Sequence, residues 1–228
     1  MPQDNLAAMD QQTETFPAPA EMPRKRRQVL EAARELFMAQ GYEKTSMDAV
    51  ARAALVSKAT LYAHFPSKDV LFATIVGDAC QRNTLHDEIF PANPPDIRAA
   101  LLHIGARSLR FLLQEQTQAI FRVAVAEARR FPEMGRAFME NGPGAYSARF
   151  TAWLAEQSAA RRLHAPRPDL AAEHFIALVR SGLFLRSVLG LDPAPDDATI
   201  QATVEAAVET FLKAFGPDHS NVGQPPLP

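Results

Sequence analysis

Apolar residues recur at helical spacing along almost the whole chain. Val29, Ala33, Leu36 and Phe37 share one face of a first helix, with Leu30 at its edge and Gly41 as its stop. Met47, Val50, Ala51 and Ala54 form a second stripe. Thr45 or Ser46 can cap it, and Asp48 sits in its first turn, where a carboxylate favours the helix dipole. After the break "LVS", a third helix spans Ser57 to about His64, with Leu61 and Phe65 at i, i+4 and Pro66 ending it. Ser67 caps a fourth, expected from Ser67 to about Ile89, a rod of roughly 35 Å that could join two lobes. "FPANPPD" then breaks the chain. Further helices are predicted near 96–115, 117–131, 133–161, 168–190 and 196–215, with the one near 133–161 split at "NGPG". No alternating strand pattern bounded by turns is present, so the fold class is all-α.

Residues 1–22 and the tail from Gly216 to 228 are polar, proline-bearing and without periodicity, and are expected to be disordered. The 228 residues are 47% hydrophobic and 22% charged, enough to bury a sizeable core. The single cysteine, Cys80, makes no internal disulfide, which fits a reducing compartment. The first 22 residues lack the apolar core of a signal peptide. The most apolar stretch, "FIALVRSGLFLRSVLGL", is interrupted by Arg180 and Arg186. A soluble, cytoplasmic protein with no membrane partner is expected. Net charge is −2, but it is unevenly spread: Arg24–Lys68 holds nine Lys or Arg against four Asp or Glu, and the rest holds 15 against 22. A +5 segment on an otherwise acidic chain points to an anionic partner, unless it is ordinary scatter.

Three short helices, the second and third joined by a tight turn, make a helix-turn-helix, whose last helix enters the DNA major groove. With Leu61 and Phe65 turned inward, Ser57, Lys58, Ala59, Thr60, Tyr62 and His64 are left outward or at the edges. Short donors, a cation, a methyl and aromatic tips are the groups that reach phosphates and base edges. Lys68 falls at the next helix start, where backbone N–H groups and a cation can hold a phosphate. Arg24, Lys25, Arg26 and Arg27 crowd the positive end of the first helix dipole. That placement favours a nearby anion, the alternative being a solvated junction.

"RRQVLEAARELFMAQGYEKTSMDAVARAALVSKATLYAHFPSKDVLF" resembles the DNA-binding domain of TetR-family transcriptional regulators over about fifty residues without a gap. The resemblance implies an all-α homodimer. An N-terminal three-helix DNA-binding domain with a helix-turn-helix is expected at 23–68, and a C-terminal helical ligand-binding and dimerisation domain at 69–215. By position, Thr45 and Ser46 resemble the family's phosphate contacts, Ser57 to Thr60, Tyr62 and His64 its recognition-helix contacts, and Lys68 its phosphate-binding lysine. Arg24, Lys25 and Arg26 complete the expected DNA contacts. One departure stands out: the family usually has glycine in the turn, where this chain has Leu55. A positive φ there costs a non-glycine residue on the order of 1 kcal/mol.

The C-terminal half resembles one TetR subgroup more weakly, through "AEARRFPEMGRAFMENGP" and "DLAAEHFIALVRSGLFLRSVLGL". Ile200, Val204, Val208, Phe211, Leu212 and Phe215 make one stripe, and the helix before it carries Gly182, which suits a close crossing. The helices near 168–190 and 196–215 form either a four-helix dimer interface or an intramolecular core. Phe111, Phe121, Phe138, Phe150 and Trp153 either line an effector cavity or fill the core. Glu127, on an apolar stripe, is either in an ion pair with a nearby arginine or a ligand contact.

No nucleophile elbow, phosphate loop or paired-histidine spacing is present, so no catalytic residues, metal or cofactor are expected. The reading is a ligand-responsive repressor: a homodimer on a palindromic operator in double-stranded DNA, released by a small-molecule effector. Its alternatives are an activator of the same fold and a helical interaction module whose basic patch binds a non-DNA partner.

Overall fold

The computed structural model describes residues 24–85 and 89–217. The expected tail at 1–22 and residues 218–228 of the other lie outside these. Gly216, assigned to that tail, instead closes the last helix: it is buried, and its N–H donates to the Leu212 carbonyl at 2.8 Å.

The described residues form ten helices and no strand: α1 (Arg24–Lys44), α2 (Met47–Ala53), α3 (Lys58–His64), α4 (Lys68–Leu85), α5 (Ile97–Leu112), α6 (Glu115–Glu127), α7 (Pro132–Asn141), α8 (Pro143–Ala159), α9 (Pro168–Val188) and α10 (Asp197–Phe215). None of these is long and apolar enough to cross a membrane. The split expected at "NGPG" falls at Gly142, between α7 and α8. α4 reaches Leu85, and residues 86–88, through which it was expected to continue, lie outside the described residues. Side-chain caps set several starts: Ser46, Ser57, Asp96 and Asp196 each accept a backbone N–H from the first turn they precede. α1 departs from helical geometry at Gly41 (φ 81, ψ 171), which frees the next residues to turn into α2.

Two apolar cores result. The first joins α1–α4 and takes in Ile120 and Ala124 of α6 and Met134 of α7. The second holds Ile89 with α5, α8, α9 and α10. Through this core α1 packs against α6, and α4 packs against α7.

One expectation is corrected here: the α10 stripe Ile200, Val204, Val208 and Phe211 is buried within the chain, so it builds the intramolecular core. Within the chain α5 approaches α10 closely at Gly105, where a Cβ would come within 2.8 Å of Val204. Gly182 is exposed, and a Cβ there would meet nothing within 4 Å among the described residues.

Candidate nucleic-acid interface and effector cavity

α2 ends in a paired-hydrogen-bond turn. Val56 N–H donates to Ala51 O at 3.0 Å and Leu55 N–H to Arg52 O at 3.1 Å. This is the Schellman arrangement, in which the residue after the cap adopts left-handed geometry and is usually glycine. Leu55 fills that place at φ 54 with its side chain 93% exposed. The turn keeps its geometry, and the strain is held by the two hydrogen bonds and by Val56 packing on the first core.

α3 leaves this turn with Ser57 as its cap, accepting from Thr60 N–H at 3.1 Å, while the Ser57 and Thr60 hydroxyls lie 2.8 Å apart. Leu61 and Phe65 are fully buried and anchor the helix. That leaves Ser57, Lys58, Ala59 and Tyr62 exposed, with Thr60 and His64 half-buried beside them. Lys58 pairs with Asp48 of α2 across an exposed surface. Ser46 is exposed at the α2 start, and Arg24 and Lys25 are exposed at the α1 start. The Arg26 guanidinium lies 5.3 Å over the Phe65 ring, bringing the basic end of α1 against the C-terminus of α3. Burial lowers the Arg26 pKa, partly opposed by Asp78.

Two expected phosphate contacts turn inward. Thr45 is buried; its hydroxyl donates to Gly41 O at 2.8 Å and accepts from Gln40 at 3.2 Å. Lys68 donates to the carbonyls of Tyr42 (2.8 Å), Thr45 (3.1 Å) and Glu43 (3.4 Å), and lies 4.2 Å over the Tyr42 ring. An ammonium has three donors, and all three are spent on carbonyls at the junction between α1 and α2. Burial lowers the Lys68 pKa, with Asp69, Glu127 and Glu43 opposing it. Lys68 is thus a clamp on the α1–α2 junction.

The turn between α6 and α7 seats on the same junction. Phe131 meets Tyr42 edge-on at 5.1 Å, and Arg130 pairs with Glu43. Glu127 belongs here too: its carboxylate lies 3.5 Å from where a Cβ at Gly41 would stand. Its charge acts on Lys68, helping to hold that ammonium's pKa up against burial, and it does not line the cavity.

The cavity, about 140 Å³, lies between α4, α5, α6, α7, α8 and α9. Phe111, Phe121 and Phe138 line it. Phe150 and Trp153 do not: both are buried in the second core, and the Trp153 indole donates to Pro91 O at 2.7 Å. The wall also includes Ser108, Thr117, Tyr146, Phe184 and Arg180, which the sequence reading passed over. The Ser108 and Tyr146 hydroxyls are 2.6 Å apart, and burial pushes the Tyr146 pKa up to about 12. Arg180 had a visible signal, a cation set among apolar residues of α9. Three residues belong to both regions. Val76, Ile120 and Phe138 line the cavity and also pack in or against the core of the helix-turn-helix.

Residues 29–75 match the family described as bacterial regulatory proteins, tetR family, and residues 99–217 match the AefR-like transcriptional repressor, C-terminal domain. The chain belongs to the TetR family. It is therefore a transcriptional regulator with an N-terminal DNA-binding helix-turn-helix. Among solved structures it is similar to the Flavonoid-responsive Regulator FrrA, with 40% identity, a TM-score of 0.72, and coverage of 86% of this chain and 98% of that one. It is 25% identical over 169 residues to the HTH-type transcriptional repressor Rv1474c of Mycobacterium tuberculosis, spanning 74% of this chain and 85% of that protein. The likeness to the HTH-type transcriptional regulator UidR of Escherichia coli is local: 41% identity over 51 residues, 22% of this chain and 26% of UidR.

Proposed function

We propose that this TetR-family regulator is a repressor that binds a palindromic operator as a homodimer and is released by a small-molecule effector. The observation that carries the ligand response is the sharing of Val76, Ile120 and Phe138 between the cavity wall and the core beneath α3. An apolar cavity of about 150 Å³ holds one benzene ring. A larger effector must displace the wall, and displacing this wall moves α4 and α6. α6 ends at the turn clamped to the α1–α2 junction, so its shift re-aims α2 and α3. A coupling of ~1–3 kcal/mol would weaken operator binding about 5–150-fold.

Ser46, Ser57, Lys58, Ala59, Thr60, Tyr62 and His64 are the proposed DNA contacts, with Arg24, Lys25 and Arg26 on flanking phosphates. Lys58 exchanges Asp48 for a phosphate on binding. Thr45 and Lys68 support this surface from beneath.

The dimer uses the outer faces of α9 and α10, since the inner α10 stripe is consumed within the chain. Ala177, Ser181, Gly182 and Leu185 on α9 and Ala202, Ala206 and Thr210 on α10 are exposed. The small residues Ala202, Ala206 and Thr210 at i, i+4, i+8 of α10, with Ala177, Ser181 and Gly182 on α9, admit a close helix approach between two copies. FrrA is named as flavonoid-responsive, and the five phenylalanines lining this cavity suit an effector of that aromatic kind. Sedimentation of the chain alone and with operator DNA tests the assembly: two chains per site are expected, and a monomer at micromolar concentration contradicts it.

A further inference from the structure

Arg180 is the one charged side chain among the described residues of the cavity wall. Its guanidinium lies 4.4 Å over the Phe184 ring. Arg110, Arg122, Arg130, Arg136, Arg167 and Arg186 each pair with an Asp or Glu. Among the described residues no carboxylate meets Arg180; burial alone acts on it, lowering its pKa. An arginine stays protonated in a protein, so the cavity keeps a cation with a ring on one side and no anion. Holding a partly desolvated, unpaired charge is unfavourable unless something else gains by it. The backbone is also strained beside it: α9 departs from helical geometry at Ser181 (φ 32, ψ −142), a conformation that disfavours a non-glycine residue.

The remaining polar lining carries no charge. Ser108 donates to Ile104 O at 2.7 Å and is bonded to Tyr146, so this hydroxyl pair is already satisfied within the chain. Phe184 meets Phe121 edge-on at 5.1 Å, and Phe121 meets Phe138 at 6.2 Å, so an aromatic wall runs on from the cation.

We propose that Arg180 anchors an acidic oxygen, carboxylate or phenolate, of an aromatic effector whose rings lie against Phe184, Phe121 and Phe138. This rests on the reading of the cavity as the effector site. A guanidinium fork gives a carboxylate two parallel hydrogen bonds and a phenolate one or two, while Phe184 keeps its other face covered.

Two matched probe pairs test it by calorimetry on the full chain: 2-naphthoate with 2-naphthamide, and 7-hydroxyflavone with 7-methoxyflavone, the flavone pair at a pH where the free hydroxyl is ionised. The acidic member of one pair is expected to bind at least about tenfold tighter than its neutral partner. The pair that shows this identifies the carboxylate or the phenolate. Arg180→Met should abolish the difference between acidic and neutral members, and Arg180→Lys should retain part of it. Equal binding of acidic and neutral members to the wild-type chain, or discrimination surviving in Arg180→Met, overturns the inference and leaves an aromatic effector in place. Failure of all four compounds to bind the wild-type chain overturns both the inference and the effector reading of the cavity.

Discussion

The Lys68 ammonium donates to the Tyr42 carbonyl at 2.8 Å and lies over the ring of the same residue. A single cation thereby ties the start of α4 to the end of α1. Truncating it leaves carbonyls at the junction without their donor. Lys68→Met should lower stability by ~1–3 kcal/mol in chemical denaturation. It should also weaken DNA binding by loosening the support of α2 and α3, yet leave the slope of log K against log salt unchanged. A slope reduced by about one would instead place the ammonium on a phosphate.

Leu55 occupies a left-handed position with nothing packed on its side chain. Leu55→Gly should therefore stabilise the folded chain by ~0.5–1 kcal/mol, relief of backbone strain outweighing the extra freedom of the unfolded chain. Leu55→Ala should change stability little. Loss of stability in the glycine variant would mean that the leucine side chain makes contacts its exposure does not suggest.

A Cβ on Gly105 of α5 would stand 2.8 Å from the Val204 side chain of α10. On propensity alone, alanine would improve α5 by ~1 kcal/mol. The crowding against Val204 should reverse that sign, so Gly105→Ala is expected to destabilise by ~1–3 kcal/mol. Combining it with Val204→Ala should recover part of the loss, a coupling that a double-mutant cycle in denaturant measures.

Ala206 is exposed on the outer face of α10. Ala206→Glu should leave helix content intact, since none of the described residues covers the position. It should shift the chain to monomer in sedimentation and weaken binding to a two-half-site operator far more than to a single half-site. An unaltered dimer would move the interface away from α9 and α10.

The parts legible in sequence were those governed by local periodicity. The buried faces of α1, α2 and α3, the caps at Ser46 and Ser57, and the stops at Gly41 and Pro66 all follow from spacings within one turn or two. The unusual turn at Leu55 was visible as well, because its backbone requirement is local. Destinations of side chains across long separations were not. Nothing near Lys68 in sequence reveals that three carbonyls from 23 to 26 residues earlier converge on it. Phe121 and Phe150 look alike as aromatics on amphipathic helices, yet helix rotation sends one to the cavity and the other to the second apolar core. The α10 stripe could serve either a partner or the chain itself, and only the position of α5 decides. Arg180 is legible in sequence only as a charge within an apolar stretch, and its place in the cavity wall depends on how α9 sits against α4–α8.

In vitro selection from random duplex DNA, run in parallel on the wild-type chain and Tyr62→Ala, tests the central claim most directly. Tyr62 is 48% exposed, so its loss should not disturb folding. The account predicts an inverted repeat with half-sites about one helical turn apart for the wild type, and a changed preference at matching positions of both half-sites for the variant. The same repeat selected unaltered by both chains would take α3 out of the groove, and no enrichment by folded dimer would contradict sequence-specific regulation altogether.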